Sequence, residues 1–466
     1  MPMLRQTNVA PEVADDETSP ARRLTRVGWL AVIAAFALTL VAFWPGMSSP
    51  DSITLLAQTR GAEPLTSVHP PLYALIWRAT DPFVPGGGGM FALVGLVFFV
   101  ALGASVGQVL CTAPAQCIAI GIVGLWPASV LMLGHIWKDA AMSAAMLAGV
   151  AMALHALHAV ERRRLAICAI AAVGAWSAAV ALRHNAASAA LPLLFALLWN
   201  LPGVSRAAKV GLLSIGTVFV LSTPGWIERA SGTIPRQSWP AVALWDLAAV
   251  SVRTGSMRMP PSLIDPTLRV EDLKPAYVPY ANPPLFATNR VKLSFWVDYT
   301  EAESHELRHA WWSAVRDEPR AFLAHRWAAS KPLLLGYTRD LPVALLSAGF
   351  PQIEGDRPPP GSSAERKFVR LFALTERAFT TPVFSGGLYL VLAALAPWLA
   401  PARSRAALFA LATSAWLYAL PYFLITGSSE FRYLHWSVVA GLAAFAIALL
   451  QRWEDRDTPL SGQTPE

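Results

Sequence analysis

The sequence predicts an all-α integral membrane protein of about ten transmembrane helices, with a large extracytoplasmic loop domain between helices 7 and 8. Three observations predict this fold class. Of the 466 residues, 55% are hydrophobic and 14% are charged, whereas soluble domains carry roughly 25% charged residues. The charged residues are gathered into short patches between long uncharged runs. Because lipid cannot satisfy backbone polar groups, such runs are expected to cross the bilayer as helices.

The apolar runs each approach the roughly 20 residues that a helix needs to span a bilayer core. The first run lacks a small-x-small cleavage site, which favours a retained helix over a signal peptide. The runs are Val27–Trp44, Met90–Leu110, Cys117–Trp137, Ala140–Val160, Leu165–Leu182, Ala186–Leu201, Val210–Trp226, Phe379–Ala400, Ala406–Thr426 and Leu434–Leu450.

The order of these runs predicts five segments. The stretch 227–378 is too long and too polar for a connector, so we expect a loop domain there. Its amphipathic portion Phe322–Phe350 predicts either an interfacial segment or a helical hairpin. The five segments are a disordered cytoplasmic tail (1–26), an amino-terminal module of about seven helices with a first outer loop at 45–89 (27–226), the extracytoplasmic loop domain (227–378), a carboxy-terminal module of about three helices (379–451) and a cytoplasmic tail (452–466).

Positive charge orients the bundle. Cytoplasmic loops of membrane proteins are enriched in Lys and Arg, and alternate connections of this chain carry such residues, which predicts that both termini are cytoplasmic. The composition favours a bacterial inner membrane. No Lys/Arg tract is interleaved with aromatic residues, so nucleic acid is not an expected partner. The orienting residues are Arg162, Arg163, Arg164, Arg206, Lys209, Arg403, Arg405 and Arg452.

Polar residues gather at helix ends that this topology places outside the cytoplasm. Ionisable residues at membrane depth are costly to bury and often line a site. Singly, each has a structural explanation: Lys138 or Arg183 could be an interfacial anchor, and Asp139 could cap the fourth helix. The group comprises Asp51, His69, Lys138, Asp139, Arg183, His184, Glu430, Arg432 and Tyr433.

Together these residue types suit transfer from a phosphate-linked donor. A carboxylate such as Asp51 can take a proton from an acceptor or hold a divalent cation such as Mg²⁺ or Mn²⁺. Arg and Lys can bind the phosphate and offset charge on the leaving group. We expect Lys138, Arg183 and Arg432 near the donor phosphate. Further substrate-binding candidates are Asp139, His184, Glu430 and Tyr433.

An acidic residue directly after the first helix, followed by His69-Pro70-Pro71-Leu72 in the first outer loop, resembles the integral-membrane GT-C glycosyltransferases. Protein O-mannosyltransferases and lipid A aminoarabinose transferases belong to that group. The resemblance implies a polyprenyl-phosphate-linked sugar donor, an extracytoplasmic active site and inversion at the anomeric carbon. It assigns Asp51 as base or metal ligand and His69 to the acceptor side. Many members have a paired acid where this chain has Ser52, which affects the base and metal assignments.

A competing motif lies in the long loop. His305-Glu306-Leu307-Arg308-His309 fits H-E-x-x-H, in which two His one helical turn apart bind zinc and the Glu activates water. A zinc hydrolase is therefore one alternative, although a third ligand is not evident. Glu318 and His325 qualify only by residue type.

A non-enzymatic transporter of lipid-linked glycans is the other alternative. A transporter needs polar residues along a path through the middle of the membrane. In this sequence they gather at outer helix ends, and the nearest exceptions, His155 and His158, lie toward the cytoplasmic end.

Overall fold

The structure is a computed structural model that describes residues 23–292 and 298–457. Most of the two predicted tails, 1–26 and 452–466, therefore lies outside the described residues. The described residues form twenty α-helices joined by loops and short 3-10 turns, and their β-structure is limited to isolated bridges. The all-α prediction is confirmed.

The helices of the amino-terminal module alternate long apolar segments with shorter helices in the connections. They are α1 (Arg26–Phe43), α2 (Pro50–Thr59), α3 (Pro71–Thr80), α4 (Gly88–Val109), α5 (Ala113–Leu125), α6 (Pro127–Leu133), α7 (Lys138–Leu157), α8 (Arg162–Leu182), α9 (Ala187–Trp199) and α10 (Arg206–Ala230).

The remaining helices belong to the loop domain and to the carboxy-terminal module. They are α11 (Trp239–Thr254), α12 (Val270–Ala276), α13 (Pro283–Phe286), α14 (Glu301–Asp317), α15 (Pro319–Leu335), α16 (Ser363–Ala378), α17 (Gly386–Leu399), α18 (Ala402–Ala419), α19 (Tyr422–Ile425) and α20 (His435–Asp457).

Seven helical segments of the described chain are long and apolar enough to cross a membrane, and a bent pair makes an eighth. Two shorter apolar helices, His184–Trp199 and Gly386–Leu399, lie where the sequence predicts two of its ten spans. The chain is thus a multi-pass membrane protein.

One predicted span is not a single straight helix. Cys117–Trp137 was expected to cross the membrane uninterrupted, but α5 and α6 meet at an angle of 60°. The break falls at Trp126, whose ψ of 135° is extended. Pro127 explains it, because a residue that precedes proline is disfavoured in the α conformation.

The loop domain has a hydrophobic core of its own. Trp245, Leu247 and Leu307 are fully buried within it, whereas Tyr337 and Phe368 pack against the main cluster of the membrane bundle. The loop domain therefore has two parts: described side chains between Ala241 and Ala329 form a separate core, and the stretch after α15 lies on the bundle.

Two boundaries differ from the sequence prediction. Helix α10 continues to Ala230, beyond the predicted domain boundary at 227, and α20 continues to Asp457. The portion Phe322–Phe350 forms most of α15 and a 3-10 turn at Val343–Leu345, so it is not a helical hairpin. The polar residues at the ends of α10 and α20 were predicted to be loop, but their backbone groups continue the helical hydrogen bonding.

The face of the bundle on which the loop domain lies is called here the loop-domain face. Backbone bridges join its connections: Met47 pairs with His135, and Ala281 pairs with Ser428. Lys138, at the start of α7, and Arg183, directly after α8, lie on the same face. At the opposite face, the Glu454 carboxylate accepts hydrogen bonds from the amides that begin α5.

Candidate active site

Asp51 is held in the first turn of α2. Ser49 is the N-cap of this helix, and Ser52 accepts a hydrogen bond from the Ser49 amide at 3.1 Å, which closes a capping box. The Ser52 hydroxyl also donates to the Ile136 carbonyl at 2.8 Å. This buried hydroxyl therefore ties α2 to the turn before α7.

The Asp51 carboxylate pairs with Arg432. The distance from Arg432 Nη1 to Asp51 Oδ2 is 2.8 Å, and the Arg432 side chain is 9% exposed against 34% for Asp51. Glu430 Oε2 forms an ion pair with Arg432 Nε at 2.5 Å, and the guanidinium lies over the Trp137 ring at 4.9 Å. Arg432 is thus fixed on three sides.

This environment keeps Asp51 ionised. Burial raises the pKa of the Asp51 carboxyl, but Arg432, His69 and Lys138 outweigh burial and hold the pKa well below its usual range. In the part of the chain that the structure describes, only Oδ2 is paired, so Oδ1 is available to a ligand.

Lys138 and His69 form a second pair. Lys138 Nζ lies 2.9 Å from His69 Nδ1. An ammonium group can only donate, so Nδ1 accepts and Nε2 carries the ring proton. Burial, with Lys138 second, lowers the pKa of His69 to about 3. His69 is therefore neutral near pH 7 and presents an N–H donor.

Arg183 and Asp139 form a third pair. Arg183 Nη1 lies 2.6 Å from Asp139 Oδ1, and Arg183 Nε donates to the Tyr422 hydroxyl at 2.9 Å. The guanidinium also lies 4.8 Å from the centre of the Tyr433 ring, which stacks on Tyr422. Asp139 makes no cap hydrogen bond at the start of α7, so the capping interpretation was wrong.

The three pairs form one cluster. Lys138 and Asp139 are consecutive at the start of α7, and Arg432 and Tyr433 are consecutive in the turn before α20. The second and third pairs are therefore joined through adjacent residues of α7, and the guanidinium groups of Arg432 and Arg183 both lie against the Tyr433 ring. Asp51, His69, Arg183 and Arg432 come from four distant parts of the chain and meet at the loop-domain face.

His184 lies at the margin of this cluster. Its side chain is 51% exposed, and Nε2 lies 3.4 Å from Glu228 Oε1 near the end of α10. Sequence reasoning missed Glu228, Tyr422 and Trp137. Tyr422 follows Pro421 at the end of an apolar run, and that break was the only signal for it.

An apolar cavity of about 160 Å³ adjoins the cluster. Tyr422 belongs to both, because its ring lines the cavity and its hydroxyl accepts from Arg183. The other cavity walls come mainly from α15, α17, α18 and α19.

The described residues do not fit a divalent cation at Asp51. No group of three or more His, Cys, Asp or Glu that could hold a metal ion occurs in 23–292 or 298–457. The charged groups that act on the Asp51 carboxylate near pH 7 are the cations Arg432 and Lys138. Cations there would repel Mg²⁺ or Mn²⁺, so metal binding by Asp51 gains no support.

The H-E-x-x-H motif lies on α14, as its spacing predicts, but a third ligand does not join it among the described residues. Glu306 accepts from the Ser262 hydroxyl at 2.5 Å. Glu318 pairs with Arg258 at 2.7 Å, and His325 is buried against Asp246. His305 and His309 therefore have no zinc site in this part of the chain.

The fold and site define an all-α multi-pass membrane protein with a charged cluster at one end of its bundle. No protein-family model and no curated protein matches the sequence. Among solved structures, the chain is similar to ArnT from Cupriavidus metallidurans bound to undecaprenyl phosphate. That likeness has a TM-score of 0.35 and 13% identity, and it covers 93% of this chain and 79% of that one. We base the function on this chain's own residues and their contacts.

Proposed function

We propose that the protein is a membrane glycosyltransferase that moves a sugar from a polyprenyl-phosphate donor to an extracytoplasmic acceptor, which is a glycolipid, a cell-surface glycan or a protein. The observation that carries the proposal is the convergence of Asp51, with one unpaired carboxylate oxygen, on Arg432, Lys138 and Arg183 beside an apolar cavity. The membrane is proposed to be the bacterial inner membrane, with both termini cytoplasmic.

Lys138 is the cation best placed to take the donor phosphate. Among the described residues it forms no ion pair with a carboxylate, and its one hydrogen-bond partner is neutral His69. A phosphate would supply the anionic partner that the Lys138 ammonium lacks. Hydrogen bonds between charged groups are roughly twice as strong as those between neutral groups. Arg183 and Arg432 each already pair with an acid. They can also contact a second anion, but the existing pairs hold their side chains in place.

The apolar cavity supports a lipid-linked donor. Its lining is almost entirely hydrocarbon, with Leu334, Trp416 and Leu434 among the contributors. Through Tyr422 it lies directly beside Arg183. A prenyl chain in this cavity would place its phosphate at the cluster. The same ligand would then bury apolar surface in the cavity and bind the charged side chains through its phosphate.

In the transfer step, the acceptor oxygen or nitrogen attacks the anomeric carbon while the bond from that carbon to the phosphate oxygen breaks. The polyprenyl phosphate leaves with the electron pair, and Lys138 with the arginines stabilises its charge. The acceptor's proton passes to Asp51. A phosphate that competes for Arg432 weakens the Arg432–Asp51 pair, which raises the pKa of Asp51 and makes it a better base.

The test compares wild type, Asp51→Asn and Glu306→Gln in a deletion strain, with extracted surface glycans and glycolipids measured by mass spectrometry. We expect one sugar modification to disappear with Asp51→Asn and to persist with Glu306→Gln at equal protein level. Glu306 is the matched control because it is also a carboxylate, and it lies in the loop domain. Persistent modification with Asp51→Asn would remove Asp51 from the chemistry.

A further inference from the structure

Helix α16 has two chemically distinct faces. Phe368 is buried, and its ring centre lies 6.3 Å from that of Phe350, so this face is packed. The other face exposes Arg366, Arg370 and Arg377 together with Val369 and Leu374. Cationic and apolar residues mixed on one exposed face are typical of helices that lie along a membrane surface.

The exposed face borders a groove of about 360 Å³ at the end of α1. Lys367 Nζ donates to the Val41 and Trp44 carbonyls, at 3.3 and 3.1 Å, and so holds α16 against α1. The Val41 side chain beside it is 73% exposed on a helix that crosses the membrane. The groove therefore opens toward lipid where α1 reaches the loop-domain face. Its lining includes Ala42, Arg366, Lys367, Arg370, Leu371 and Leu374.

The cations of this groove lack anionic partners. Within the described ranges, none of the ion pairs involves Arg366, Lys367 or Arg370. Glu365, which precedes Arg366 in the sequence, accepts from the Gly361 amide at 2.5 Å, and Glu376 is not among the groove-lining residues. Partial burial lowers the pKa of the Lys367 ammonium, which is the direction expected for a cation without a counter-charge.

We propose that this groove binds the phosphate headgroup of an anionic phospholipid in the leaflet at the loop-domain face. Arg366, Lys367 and Arg370 would surround the phosphate, since Arg and Lys are the usual donors to phosphate oxygens. The apolar residues Ala42, Leu371 and Leu374 would contact the glycerol backbone and the first part of the acyl chains. The site shares no residue with the Asp51 cluster and does not depend on the glycosyltransferase proposal.

The test uses full-length protein and native mass spectrometry with phosphatidylglycerol, with phosphatidylcholine or with inorganic phosphate. Wild type is expected to retain phosphatidylglycerol at least tenfold better than phosphatidylcholine, and inorganic phosphate is not expected to displace it. Arg366→Gln with Arg370→Gln should abolish that preference. Arg377→Gln, the same change on the same helix outside the groove lining, should preserve it.

The single variant Arg370→Gln covers the case in which the double variant does not fold, because Arg370 makes no hydrogen bond in the described structure. It is expected to reduce the preference severalfold. Equal retention of the two lipids by wild type, or an undiminished preference in a folded Arg370→Gln or double variant, would overturn the proposal. Displacement of the lipid by inorganic phosphate would show a free-phosphate site instead.

Discussion

At the scale of single residues, Lys138 shows how a site can be prepared for an anion. Its ammonium is held by a neutral imidazole, whereas Arg183 and Arg432 are each held by a carboxylate. A group that is already charge-paired gains less from a new anion than one that is not. Lys138 is therefore the residue whose removal should affect phosphate binding most directly.

Lys138→Met removes the charge and keeps the length of the side chain. A charge-assisted hydrogen bond contributes about 1.5–3 kcal/mol, so we expect a roughly 10- to 100-fold loss of affinity for polyprenyl phosphate. Titration of the lipid into purified protein measures it. Lys209→Met, on the opposite face, is the control and should bind normally. Equal affinity in the two variants would place the phosphate elsewhere.

His69 predicts a pH dependence of stability. Its pKa is about 3 in the folded protein and 6.5 when unperturbed, so between these values the unfolded chain binds a proton that the folded chain does not. Stability must therefore fall as pH falls through this window. At 1.36 kcal/mol per pH unit, the loss from pH 6.5 to pH 5 is about 2 kcal/mol.

The measurement compares unfolding of wild type and His69→Gln in detergent at roughly pH 7 and pH 5. The glutamine keeps an acceptor for Lys138, and the expected result is a smaller loss of stability on acidification. Asp51 does not interfere, because its lowered pKa affects stability only below its unfolded value of 3.8. Parallel losses in both proteins would show that His69 is not the group responsible.

At the scale of elements, close helix contacts depend on particular glycines. Gly441 lies in α20 against α17, and a Cβ at this position would lie 2.3 Å from the Tyr389 carbonyl oxygen. Backbone cannot move aside as a flexible side chain can. The Gly441 position is one of the sites where α17 and α20 approach most closely, and α20 begins directly after Arg432.

Gly441→Ala is expected to destabilise the protein by about 1–3 kcal/mol, the usual cost of overpacking. Gly211→Ala is the matched control, because a Cβ at position 211 would meet nothing within 4 Å. Alanine also favours helix over glycine, so the control should be neutral or slightly stabilising. Thermal unfolding of both variants in the same detergent tests this. Similar melting temperatures would show that α17 and α20 can separate without cost.

One of the contacts between the loop domain and the site is a buried ion pair. Asp246 and Arg326 pair with both side chains fully buried, and Arg326 Nη1 donates to the Thr426 carbonyl at 2.9 Å. Ser428, two residues later, donates to Glu430 at 2.8 Å, and Glu430 holds Arg432. Arg326 is therefore a positioning residue for the Asp51 cluster.

Arg326→Met should destabilise the protein by about 3–5 kcal/mol, because it leaves the buried Asp246 carboxylate without its arginine partner. Adding Asp246→Asn should recover much of that stability without recovering glycan modification, since the Thr426 carbonyl is still released. Arg258→Met, which breaks a partly exposed pair with Glu318, should cost less than Arg326→Met. Full activity in a stable double variant would limit Arg326 to a structural role.

At the scale of the whole molecule, the distribution of charge predicts orientation. The loop domain and the Asp51 cluster share one face, and Arg162, Arg163 and Arg164 lie at the other end of α8. The positive-inside rule assigns that other end to the cytoplasm. Exposed Cys111 begins the turn before α5 at the same end.

The orientation can be tested by labelling intact cells with a membrane-impermeant maleimide. A variant in which Cys111 is the sole cysteine should react only after permeabilisation. A cysteine-free protein with Glu306→Cys in the loop domain should react in intact cells. The reverse pattern would invert the topology and place the Asp51 cluster on the cytoplasmic side.

The sequence by itself determined the fold class, the number of apolar segments and the end of the bundle at which each polar residue lies. The length of an apolar run and the charges that flank it can be read along the chain. In a bilayer, the run length determines which segments can span as helices, and the flanking charge determines their orientation. The break at Trp126 was also readable from Pro127, but only as a local rule about proline, and the length of the run concealed it.

Only the tertiary structure decided which residues pair. Asp51 lies against Arg432, Lys138 against His69 and Asp139 against Arg183, although Asp51 and Arg432 are separated by almost the whole chain. The sequence shows that a residue lies at a helix end. Which side chain it contacts there depends on the rotation and packing of the helix, and these are determined by many contacts between distant parts of the chain. For the same reason, the sequence left two roles open for Asp139, a helix cap or a site residue. The choice between them required its partner, Arg183 at the end of another helix.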